Sequence, residues 1–133
     1  MTKYLSAYAA IGVAMIVLDV LWLGFIAKPL YQQGIGHLMA AQPKLAAAAV
    51  FYALFALGLL VFTVVPNVAE PGWLRTAGMA ALFGLVAYAT YDLSNLATLK
   101  DWPVGLSVID MAWGSFISAA SALAGRAAWN AMS

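Results

Sequence analysis

The sequence predicts an all-α integral membrane protein, a single domain over residues 1–133 folded as a four-helix up-down-up-down bundle. Three observations predict it. Hydrophobic residues make up 65% of the chain and charged ones 8%, whereas a soluble domain is about half apolar and a quarter charged. The apolar residues gather into four stretches, each long enough to cross a hydrocarbon core of roughly 30 Å as a helix. Short segments carrying Pro, Gly and charge separate them. Helix is the structure the medium demands, because lipid offers backbone groups no partners, and the stretches lack the alternation of barrel strands.

The first span is expected over 4–27, stopped by Lys28 and Pro29. It is too long for the apolar part of a signal peptide, contains Asp19 and lacks a small-residue cleavage site, so it is expected to stay in the mature chain. The connection 28–44 is the longest. There Tyr31, Gln32, Gln33 and His37 are interspersed with Leu30, Ile35, Leu38 and Met39, which predicts a short interfacial helix or a re-entrant turn. Gly34 and Gly36 weaken a continuous helix, and His37 reads as an interfacial residue rather than a ligand.

Pro43 and Lys44 open the second span, 45–65, and Pro66 and Asn67 close it. Pro71 and Gly72 precede the third, 74–98, and the run from Lys100 to Pro103 separates it from the fourth, 104–128. The second and third connections are short, so the helices they join must be antiparallel neighbours.

Net charge is +1 with no cluster of Lys or Arg, which argues against nucleic acid as a partner. There is no cysteine, hence no disulfide and no thiolate metal site. Four spans put both termini on one side, with Lys3, Arg75 and Arg126 there and Lys28, Lys44 and Lys100 on the other. The positive-inside count is tied, so orientation is not readable. Small residues at helical spacing, Gly114, Ser118 and Ala122 on the fourth span and Ala80 and Gly84 on the third, permit close packing within the chain or between copies, and a homodimer stays open.

Asp19, Asp92 and Asp110 lie inside expected spans, and each is eight or nine residues from a charged residue, Lys28, Lys100 or Asp101, at the same membrane face. At helical rise that places all three about 12 to 14 Å deep, in one layer. Tyr52 falls at the same level. Tyr88, Tyr91, Asp92 and Asn95 share a stripe of the third span, and Asp19 with Trp22 repeats the spacing of Asp110 with Trp113. An aspartate at mid-span costs about 2.5 to 3.5 kcal/mol to insert, whereas polar glue between membrane helices returns about 0.6 kcal/mol per contact. No Lys, Arg or His is expected to be buried inside a span, and basic side chains at the span ends are expected to point toward water rather than down to this layer. Compensation must come from protons, hydrogen bonds, water or a bound cation.

The segments 18–24, 36–38, 84–98 and 110–114, including Tyr91-Asp92-Leu93-Ser94-Asn95 and Asp110-Met111-Ala112-Trp113, resemble a bacterial family of predicted membrane proteins, domain of unknown function 2177. The resemblance covers nearly the whole chain. It implies a four-helix protein of the bacterial inner membrane and supplies no activity.

The expected site is therefore Asp19, Asp92, Asp110, Asn95, Tyr88, Tyr91, Tyr52, Trp22 and Trp113. As a binding or transport site it would take a proton, a cation or an organic cation, the aromatic faces adding cation-π attraction. Asp19, Asp92 and Asp110 are also the residues that would ligate a hard metal, although their spacing matches no metal motif. Two other classes stay open. One is an accessory subunit or assembly factor of a larger membrane complex, in which the aspartates only fix packing. The other is a membrane-embedded enzyme acting on a lipophilic substrate, for which no nucleophile, phosphate or dinucleotide motif is present. No cofactor is indicated.

Overall fold

Apolar helix after apolar helix gives a computed structural model, described for residues 1–132, in which no strand occurs among the described residues; Ser133 lies outside them. The helices are α1 (Thr2–Leu21), α2 (Lys28–Ile35), α3 (Leu45–Leu59), α4 (Leu74–Thr98) and α5 (Val104–Ala131). Two of them end in π-helical turns. α1 runs on through Trp22–Ile26, closed by a bond from Ala27 N to Trp22 O of 2.7 Å, and α3 through Leu60–Val64. Such turns widen the helix by one residue and re-aim the side chains they carry.

Among the described residues three helical stretches are long and apolar enough to cross a membrane: Thr2–Ile26, Leu45–Asn67 and Val104–Ala131. They match the first, second and fourth expected spans. The third expected span is α4, which has the length, 25 residues, and falls short on apolarity because it carries Arg75, Asp92 and a run of Tyr, Thr, Ser and Asn. The first connection forms the expected short helix, α2, followed by a 3₁₀ turn Gly36–Leu38.

α5 is the central element. It lies antiparallel along α4, with Arg126 beside Thr76, Ser115 Oγ donating to Ala81 O at 2.9 Å, and Gly114 against Gly84 and Tyr88. It is also antiparallel to α1, with Gly125 on Ile11 and Trp113 on Asp19. The small residues anticipated as contact points are used here within the chain. A Cβ at Gly84 would lie 2.2 Å from Gly114 O, and one at Gly114 would lie 2.2 Å from the Tyr88 ring. The turn between α4 and α5 is sharp, with Asp101 at φ 62°, a left-handed conformation that Asp tolerates better than most residues.

Two apolar clusters occupy opposite ends. Ala7, Ile11 and Met15 of α1 pack with Phe55, Ala56 and Leu59 of α3, Ala80 of α4 and Ile117 and Ala122 of α5. At the other end Ile35 of α2 packs with Trp102 and Leu106, with Tyr31 and Leu96 alongside. The aspartates lie between them.

The expectation that no basic side chain is buried in a span is corrected by Arg126. It lies within α5, is 2% exposed, and donates to Gly72 O at 2.7 Å, to Thr76 Oγ1 at 3.0 Å and to Glu70 O. The α3–α4 connection folds over the helix ends and turns its carbonyls inward, so a planar guanidinium there finds acceptors without a carboxylate partner.

Candidate functional site

Every helix contributes to the polar layer. Asp19, one helical turn beyond Met15, is 7% exposed and accepts two hydrogen bonds, from Tyr52 Oη at 2.6 Å and Trp113 Nε1 at 2.9 Å. These tie α1 to α3 and to α5. Asp110 is likewise 7% exposed and accepts from the Tyr31 hydroxyl, and Trp22 Nε1 lies 3.4 Å from the same hydroxyl. Trp22 and Trp113 stack with ring centres 4.4 Å apart and planes 5° from parallel. The repeated Asp-Trp spacing seen in the sequence thus brings the two indoles face to face.

Asp92 is 1% exposed and lies beside Asp110. Its Oδ2 has no hydrogen-bond partner among the described residues. Tyr88 and Asn95, which share its helix stripe, are not bonded to it among the described residues: Tyr88 lies with its ring against Gly114 and Phe55.

The layer encloses a cavity of about 450 Å³, lined by Asp19, Asp110, Trp22, Trp113, Tyr31, Tyr52, Tyr88, Tyr91, Leu23, Phe51 and Ala87. Seven of the nine expected site residues are in that wall. Asp92 and Asn95 are outside it. The three carboxylates do not converge as ligands: no group of three acidic or histidine side chains able to hold a metal ion occurs among the described residues.

Tyr31 is the wall residue that the sequence reading left among the interfacial ones. The π-helical turn and Pro29, whose missing N–H costs nothing in a first turn, let α2 fold back toward α5. Burial, and after it the hydrogen bond to Asp110, hold the Tyr31 phenol well above its ordinary value, so it stays a protonated donor at any physiological pH.

Chemically this is an acidic, aromatic-walled chamber. It offers two carboxyl groups and four phenols, and no basic side chain is in its wall. A family model described as predicted membrane protein (DUF2177) matches residues 4–127. No curated protein and no solved structure matches the chain.

Proposed function

The chain belongs to the DUF2177 family of predicted membrane proteins, and from that premise we propose that it is a four-span protein of a bacterial inner membrane whose cavity binds a cationic organic ligand. The fourth span is α4. α5 ends beside Glu70 and Gly72 and runs antiparallel to α4, so the segment 74–98 has to cover the full distance between the two ends of α5. At 1.5 Å per residue, 25 residues reach about 37 Å, enough to cross. Of its polar side chains Thr76 and Asp92 are buried, and the exposed hydroxyls of Thr90 and Thr98 bond the carbonyls of Val86 and Ser94 on their own helix.

One observation carries the binding reading: two carboxylates, Asp19 and Asp110, open onto a cavity walled by stacked indoles and phenols with no basic group among them. A cation placed there gains from both charge and ring faces, the latter about 0.5 to 2 kcal/mol. The volume is within the usual range for small-molecule sites, roughly 300 to 1,000 Å³.

The test is titration of the protein in lipid nanodiscs with ethylamine, phenethylamine, tetramethylammonium and dodecylamine, read by tryptophan emission. At least one is expected to bind, and Asp110→Asn, which keeps shape while removing charge, is expected to weaken it by about tenfold or more. Binding by none of them, or equal binding by a folded Asp110→Asn protein, overturns the reading and leaves the aspartates as structural links between helices.

A further inference from the structure

The two ends of the cavity differ. Toward the nearer membrane face it is roofed by α2: Tyr31 bonds Asp110 and meets Trp22, and Ile35 closes with Trp102 and Leu106 behind it. α2 therefore covers that end of the cavity.

The side is open. α3 is held to α1 through Tyr52 on Asp19 and through Tyr8 Oη donating to Ala53 O at 2.9 Å. Toward α4 it is held through Phe55, with ring centres 5.4 Å from Phe83 and 6.0 Å from Tyr88, and through the π-helical turn beyond. On the Lys44 side of those contacts residues 45–51 are all exposed, so this half of α3 stands away from the bundle. Phe51 and Tyr91, 43% and 52% exposed, are at once cavity wall and outer surface.

We propose that the cavity is entered sideways from the bilayer through the gap between α3 and α4, and that its ligand is an amphiphilic amine. The ammonium head sits at Asp19 and Asp110, and the alkyl tail stays in lipid past Phe51 and Tyr91. The inference rests on the cation reading and adds the class of ligand and its route. A phosphate-bearing lipid is disfavoured, because Asp19 and Asp110 would repel it and no Lys or Arg lines the wall to hold it. A small hydrophilic amine gains nothing from an opening that faces hydrocarbon.

The experiment uses the unaltered chain in phosphatidylcholine nanodiscs with a trace of dodecylamine carrying a diazirine at the end of its chain. Light is expected to label peptides on both sides of the gap, those containing Phe51 and Tyr91. Unlabelled dodecylamine is expected to suppress this at roughly a hundredfold lower concentration than ethylamine, which has the same head and little tail. Labelling that excess dodecylamine does not suppress is the ordinary lipid annulus and overturns the proposal. Ethylamine protecting as well as dodecylamine also overturns it, placing entry on the water side while the cation reading stands. No protection by either, with no amine binding by tryptophan emission, removes both. Asp110→Asn is expected to abolish the suppressible label, and because the competition needs no variant, a failure of that protein to fold leaves the outcome decided.

Discussion

Among single residues, Asp19 and Asp110 were legible in the sequence because depth in a membrane helix can be counted from its charged ends. Tyr31 was not, since counting outward from Lys28 puts it beyond the face, and only the fold-back of α2 returns it. Its raised phenol gives a pH test. A proton held more tightly in the folded state stabilises fully below the unfolded value, about 10, and the benefit is lost only as pH climbs through the raised one. The stability difference between the parent and Tyr31→Phe should therefore be constant up to about pH 10 and narrow above it, as read by unfolding in mixed micelles. Arg126 was misjudged for another reason: its acceptors are backbone carbonyls, which no side-chain pattern announces. Arg126→Met should cost about 1 to 3 kcal/mol by leaving those carbonyls unpaired. Arg126→Lys should recover only part, because an ammonium cannot span the fork. Equal stability of all three proteins would show the guanidinium to be idle.

For the elements, helix existence and order were readable because each apolar stretch is punctuated by Pro, Gly or charge. The π-helical turns at Trp22–Ile26 and Leu60–Val64 were not, since an extra residue in a turn leaves no mark in composition. Which small residues serve contact and which are incidental was equally hidden. Gly114 and Gly12 look alike in sequence, yet a methyl at Gly114 meets Tyr88 and one at Gly12 meets nothing within 4 Å. Gly114→Ala should lose about 1 to 3 kcal/mol and push Tyr88 out of the cavity wall, whereas Gly12→Ala should be neutral or gain a few tenths from helix propensity. Thermal unfolding of the two variants side by side checks it, and matching midpoints would mean that α4 and α5 do not pack this closely.

For the molecule as a whole, membrane class followed from composition, while the side facing the cytoplasm did not, because the basic residues divide evenly. A fourth span is directly testable. In a chain without cysteine, Thr2→Cys and Glu70→Cys should react with an impermeant maleimide from one side, and His37→Cys and Asp101→Cys from the other. If Glu70→Cys and Asp101→Cys react from the same side, α4 does not cross. The stacked indoles carry a last consequence. Trp22 belongs to the end of α1 and Trp113 to α5, and rings held parallel at 4.4 Å couple their excited states. The far-ultraviolet circular dichroism of the unlabelled protein should then contain a split indole band that vanishes in either Trp22→Phe or Trp113→Phe alone. That band is a built-in optical gauge of whether the two helices are docked, readable while a ligand enters between them and the rest of the chamber.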